Sequence, residues 1–144
     1  FRLPAKADYC AVPWVTYGDP ELAHVGLSES VAREAGMQFK VLRHSYADND
    51  RAVAEGRTEG FLKAVVSPGG RILGASIVGV AAGEIIHAWS LAVARRLKVS
   101  AMAQTITPYP TYSEIGVRAA GSFYTPKLYS PRTKRLVRFL QRLG

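Results

Sequence analysis

The sequence predicts an α+β fold: a two-layer domain, with an antiparallel sheet and helices packed on one face. Three observations carry this. Phe61-Leu62-Lys63-Ala64-Val65-Val66 and Ile72-Leu73-Gly74-Ala75-Ser76-Ile77-Val78 are β-rich runs joined by Ser67-Pro68-Gly69-Gly70-Arg71. A Pro/Gly connection that short joins antiparallel neighbours. Ala82 to Leu97 reads as a long helix whose apolar residues (Ile85, Ile86, Trp89, Leu91, Ala92, Val93, Leu97) spread wider than one stripe. The order of elements along the chain is β-α-β-β-β-α-α.

Phe1 to Ala11 shows no periodicity and reads as an extended lead-in. Val12-Pro13-Trp14-Val15-Thr16-Tyr17 is β-rich, with Pro13 suited to a strand start or an edge, and Gly18-Asp19-Pro20 ends it as a turn. Ser28 caps a short helix through about Ala35, and Gly36 is its left-handed stop. Phe39 to Tyr46 is a second strand; Ala47 to Glu59 is polar and reads as a long loop or frayed helix. After the hairpin, Gly79 ends the sheet. A small domain's sheet covers one side of the 82–97 helix, so its other side is expected to meet another chain or domain. Ser100 caps a one-turn helix through Gln104.

Next comes Thr107-Pro108-Tyr109-Pro110-Thr111-Tyr112-Ser113-Glu114-Ile115-Gly116. Pro108 and Pro110 hold φ and push Thr107 and Tyr109 toward extended backbone. Thr111 with Glu114 three residues on forms a capping-box pattern, opening a helix to about Ala120 that Gly116, Ala119 and Ala120 keep slim. This places Tyr109 at the tip of a stiff loop, with Glu114 about one turn behind it. The stretch suits a docking device and a rigid connector equally. The last segment, Arg132 to Leu143, is an amphipathic helix with Leu136, Val137, Phe139, Leu140 and Leu143 opposite its cations.

At 144 residues the chain is one domain long and can bury a core; 48% hydrophobic residues and a mean hydropathy of +0.01 are globular values. No apolar run has membrane-span length, the N-terminus has no signal pattern, and an opening Phe1 suggests a piece of something longer. Cys10 is the sole cysteine, which excludes an internal disulfide, a CxxC pair and a cysteine zinc site, and fits a reducing cytoplasm. The net charge is +8. Lys127, Arg132, Lys134, Arg135, Arg138 and Arg142 supply six of these with no acid among them, and eight less six leaves +2. Basic character is thus a tail property, and no nucleic-acid partner is expected of the domain. The tail could touch anionic lipid, but packing on its own protein with cations in water is the expected arrangement.

Motifs for chemistry are sparse. G-x-G-x-x-G and G-x-x-x-x-G-K are absent. Gly79-Val80-Ala81-Ala82-Gly83 could meet an anion, but a tight strand-to-helix turn explains it better. His24, His44 and His87 lack metal-ligand spacing, Asp48-Asn49-Asp50 lacks the glycine and distal glutamate of a calcium loop, and no G-x-S-x-G elbow occurs. No metal site and no complete active site are expected. The wide apolar helix and the Tyr109 tip instead point outward.

Several ordered stretches carry a resemblance. Val12-Pro13-Trp14-Val15-Thr16-Tyr17 precedes Asp19-Pro20-Glu21-Leu22-Ala23-His24-Val25-Gly26-Leu27-Ser28-Glu29; then come Thr58-Glu59-Gly60-Phe61-Leu62-Lys63, Ile72-Leu73-Gly74-Ala75, Gly83-Glu84-Ile85-Ile86 and Tyr109-Pro110-Thr111-Tyr112-Ser113-Glu114. Over roughly Val12 to Ala120 the chain resembles the C-terminal dimerisation domain of FAD-dependent pyridine nucleotide-disulfide oxidoreductases, the group of dihydrolipoamide dehydrogenase, glutathione reductase and mercuric reductase. With the basic amphipathic pattern of the last segment, the expected division is a dimerisation domain over 1–124 and a basic amphipathic C-terminal tail helix over 125–144. The resemblance implies a flavoprotein homodimer with FAD and NAD(P) domains preceding Phe1; because the nucleotide-cradling motifs are missing, this fragment alone is expected to bind no cofactor and to be inactive. In the family the proline loop enters the partner's active site, where a histidine held by a glutamate exchanges protons with redox cysteines. Its backbone carbonyl also approaches the flavin. Glu114 matches that glutamate, and Tyr109 stands at the histidine. The resemblance therefore makes Tyr109 and Glu114 the catalytic candidates, and Tyr109 and Pro110 the flavin-facing ones. A phenol is a poor base near neutral pH, which departs from dithiol-disulfide exchange. The tail lacks the cysteine pair of mercuric reductases. The Tyr109-Pro110 bond is a candidate for cis, as the family's can be. The alternative is a stand-alone basic α+β module that contacts nucleic acid or anionic membrane through its last helix.

Overall fold

The computed structural model describes residues 9–141, apart from the side chains of residues 132, 136, 139 and 140. The expected α+β architecture is present. β1 (Trp14–Thr16), β2 (Glu21–Gly26), β3 (Lys40–Ser45), β4 (Phe61–Val66) and β5 (Ile72–Gly79) form one antiparallel sheet in the order β1-β2-β5-β4-β3. The predicted β4–β5 hairpin forms, with a register shift at Val65/Val66.

β2 was not foreseen. Glu21, Ala23 and Gly26 are weak strand formers, so the run carries little β signal of its own. Pairing decides it: Ala23 lies opposite Ile77 and Val25 opposite Ala75, and both Ala23 and Val25 are buried. Tyr9–Ala11, expected to be extended, is a 3-10 turn; Phe1 to Asp8 lie outside the described residues.

α3 (Ala82–Ala94) lies across β2 and β5, and α5 (Glu114–Ser122) across β3 and β4. The core between them centres on Val25, Leu62, Ile77, Ile86, Trp89 and Ile115. Apolar burial on one sheet face holds these layers together. α1 (Glu29–Glu34) has the expected Ser28 cap, whose Oγ accepts from Val31 N at 3.2 Å. On the opposite sheet face, His24 is held between Ser76 Oγ (2.8 Å) and the Gly26 carbonyl (2.9 Å), a structural role.

The turn from β5 into α3 is filled by protein. Tyr46 is fully buried and its hydroxyl donates to the Val80 carbonyl at 2.9 Å; burial holds that phenol far above its ordinary range. A Cβ at Gly79 (φ 148°) would fall 2.5 Å from the Tyr46 ring. Glu21 Oε2 accepts from Gly83 N at 2.8 Å, so a carboxylate already satisfies the positive end of α3. The anion-site reading of Gly79–Gly83 yields to the tight-turn reading.

Two cap assignments are corrected. α4 (Val99–Ala103) has Lys98 as its N-cap, two positions before the expected Ser100 cap. α5 begins at Glu114 with Ser113 as N-cap, and the Thr111–Glu114 capping box does not form. Thr111 Oγ1 donates instead to the Pro108 carbonyl at 2.8 Å, and Glu114 turns to Arg118. The polar stretch after β3 contains α2 (Asp50–Ala54). The tail adds α6 (Thr125–Leu128) before α7 (Pro131–Leu140). The Leu136, Phe139 and Leu140 side chains, and Leu143, lie outside the described residues.

Candidate functional site

The proline loop is held from below by α2. Asn49 is fully buried; its Oδ1 accepts from Ala52 N (3.0 Å), capping α2, and its Nδ2 donates to the Thr111 carbonyl (3.1 Å). Asn49 thus completes a helix start and a loop base with one side chain, and neither polar end is left unpaired. At the other end of α2, Tyr112 donates to Glu55 Oε2 at 2.6 Å. Between these anchors the Tyr109 hydroxyl donates to Asp50 Oδ2 at 3.0 Å. The Tyr109-Pro110 bond is cis, as the sequence suggested. Ile106 is 96% exposed and Tyr109 69%, so the loop projects from its anchored base.

Glu114 and Tyr109 do not touch directly. Glu114 Oε1 accepts from Arg118 Nη2 (2.8 Å) and Nε (3.1 Å), and Arg118 Nη2 lies 3.7 Å from Asp50 Oδ2. The order is therefore Tyr109–Asp50–Arg118–Glu114. Glu114 Oε2 is buried and has no hydrogen-bond partner among the described residues. The bond to Asp50, with that carboxylate's charge, raises the Tyr109 pKa above its ordinary value of 10.0. The phenol is therefore a donor, not a base, near neutral pH. The sign fixes the pH dependence: the Tyr109–Asp50 contact persists below the ordinary phenol range and is lost as pH rises through the raised value. Asp50→Asn is expected to lower the Tyr109 pKa. Tyrosine ¹³Cζ NMR titration reads this directly, with Tyr109→Phe assigning the resonance; an unchanged or raised value contradicts the contact.

Beside the loop, α3, α4 and α5 enclose an apolar groove of about 360 Å³, lined in part by Trp89, Leu91, Leu97, Met102, Gly116 and Val117. Leu91 is 54% exposed there. Trp89 is fully buried, and its Nε1 has no hydrogen-bond partner among the described residues. A Cβ at Gly116 would sit 3.2 Å from that nitrogen, so glycine lets α5 approach the indole closely.

Tyr109, Pro110 and Glu114 therefore lie on one loop and the helix it opens. Sequence reasoning missed Asn49, Asp50 and Arg118. Arg118 was within reach, since Glu114 and Arg118 have i,i+4 spacing. Asp50 gave no local sign, because it meets Tyr109 only through the packing of α2.

The model for the dimerisation domain of pyridine nucleotide-disulphide oxidoreductases matches residues 12–120. The dihydrolipoyl dehydrogenase of Bacillus subtilis is 36% identical over 118 residues, covering 81% of this chain and 25% of that protein. The dihydrolipoyl dehydrogenase of Geobacillus stearothermophilus is 39% identical over 118 residues, with the same coverage of 81% and 25%. Among solved structures, LpdA of Mycobacterium tuberculosis superposes with a TM-score of 0.78 at 27% identity, over 83% of this chain and 26% of that one. The HOCl-induced flavoprotein disulfide reductase RclA of Escherichia coli gives a TM-score of 0.73 at 32% identity, over 76% and 26%. The chain spans about a quarter of the length of these relatives.

Proposed function

This chain belongs to the dimerisation-domain family of the pyridine nucleotide-disulphide oxidoreductases, and from that premise we propose that it works as part of a longer oxidoreductase using FAD and NAD(P). Residues 1–124 are the dimerisation unit and 125–144 an appended tail. Two copies meet over the α3–α4–α5 groove as a homodimer, in the cytoplasm. Each copy offers its Tyr109-Pro110 loop, with Glu114 behind it, to the partner's flavin site. Alone, the fragment binds no cofactor and is inactive.

One observation carries this reading: an exposed, firmly anchored proline loop stands beside an open apolar groove. The residues present fit a flavin brought by another polypeptide. Tyr109 and Pro110 are exposed, while Glu114 Oε2 is buried and lacks a donor among the described residues. A bound flavin would supply hydride and electron transfer. This chain's part is to shape the site and place one phenolic proton. Tyr109 holds that proton against Asp50, Arg118 ties Asp50 to Glu114, and the loop backbone faces outward. With a phenol in place of an imidazole, the site serves as a hydrogen-bond donor and lacks a base for thiol deprotonation. The expected chemistry is therefore reduction of an acceptor other than a standard dithiol-disulfide pair.

Leu91→Arg tests the assembly. In a two-fold interface the substitution appears twice and places two cations in apolar surroundings. The wild-type chain is expected to persist as a dimer at low micromolar concentration by light scattering after size exclusion, and Leu91→Arg as a monomer. A wild-type monomer, or a variant that still dimerises, contradicts the groove as the interface.

A further inference from the structure

We propose that the C-terminal segment is a docking surface for an anionic lipid bilayer, with α6 and α7 as the contact. This is independent of the flavin-site reading. From Ile115 to Gly144 the sequence carries seven cations and no acid, and the family match stops at residue 120. Six of those cations therefore lie beyond the residues that the family model matches. Among the described residues, α7 packs against α6 and α6 against α5, and the last buried side chain is Phe123.

Of the apolar stripe of the last helix, Val137 is the member whose side chain is described, and it is 46% exposed; Leu128 and Tyr129 just before the helix are exposed as well. They share one shallow groove with Thr133, Lys134 and Arg138. Aliphatic and aromatic groups are thus interleaved with cations, and no acid within the segment neutralises them.

That combination selects among partners. A bilayer takes both halves of it: Leu128 and Val137 enter at the headgroup–acyl boundary, Tyr129 lies at the interface, and Lys134 and Arg138 meet lipid phosphates. Nucleic acid would engage the cations and leave the aliphatic groups unused. The cytoplasmic leaflet is anionic, and each basic residue near such a surface adds measurably to binding. No helix among the described residues is long and apolar enough to cross a membrane.

Flotation of the full chain with vesicles tests this. Phosphatidylcholine vesicles with about one third phosphatidylglycerol, at about 0.1 M salt, are expected to bind it at least about tenfold better than phosphatidylcholine alone. Lys134→Glu with Arg138→Glu should lose at least about tenfold of that binding, and Val137→Asp a large part of it. Arg95→Glu with Lys98→Glu makes the same charge change on exposed positions around the end of α3 and should bind like wild type. The tail variants should keep the wild-type melting temperature, because the segment lies outside the core. Absent binding, equal binding to both vesicle types, or equal loss in the Arg95/Lys98 control overturns the proposal. So does displacement from the vesicles by a DNA duplex.

Discussion

Gly74→Ala is expected to abolish folding of this domain, although the residue sits in an ordinary strand conformation. The reason is space. The chain leaving β2 runs so close to β5 here that a Cβ on Gly74 would fall 2.5 Å from Leu27 N, 2.8 Å from Val25 O, and closer still to Leu27 O. All three are backbone atoms, so no side-chain rotation relieves the overlap. Leu27 N also donates to Leu73 O at 3.0 Å, and moving the strands apart would break that bond and the pairings around it. A loss of roughly 3 kcal/mol or more is expected, more than most point substitutions bring. Gly56→Ala is the contrast. Gly56 has φ +65°, but a methyl group there would meet nothing within 4 Å. It should lose only about 1 kcal/mol, the left-handed penalty alone. Urea unfolding of both variants checks this; comparable losses would mean that backbone conformation, not proximity, governs these glycines.

Trp89→Ala is the second large effect, because one side chain supports both layers. Trp89 is fully buried among the core residues and also forms part of the groove beside Gly116. Truncation removes the indole's transfer free energy and opens a cavity between α3 and α5, an expected loss of about 3–5 kcal/mol. Dimerisation should fail with it, since the floor of the groove collapses. Trp89→Phe separates packing from hydrogen bonding. The indole N–H has no partner among the described residues, so its removal relieves an unpaired buried donor while giving up one ring's volume. The net change should stay within about 1 kcal/mol. Equilibrium unfolding measures the first effect and a concentration series by light scattering the second. A stable Trp89→Ala dimer would show that α3 and α5 are held together by other contacts.

Much of this domain is legible in its sequence. The β4–β5 hairpin is carried by a Pro/Gly turn between β-rich runs, and α3 by its apolar spacing. Pro108 and Pro110 declare a stiff loop, since proline restricts the backbone wherever it stands. Tyr109, Pro110 and Glu114 stand out through the motif they resemble, and all three fall on one loop and the helix after it. These features are local: each depends on residues within a few positions of one another.

What only the tertiary structure decided is non-local. β2 is a strand because β5 pairs with it, despite a sequence of weak strand formers. Thr111 reads as a helix cap from a short pattern, but its hydroxyl is drawn to the Pro108 carbonyl and the helix starts later. Asp48-Asn49-Asp50 looks like a failed calcium loop; packing instead makes Asn49 the anchor of the proline loop and Asp50 the acceptor for Tyr109. Hydrogen-bond partners some sixty positions apart leave no periodicity to read. Sequence by itself thus determined which residues the loop presents, and the packing of α2 beneath it decided what holds them.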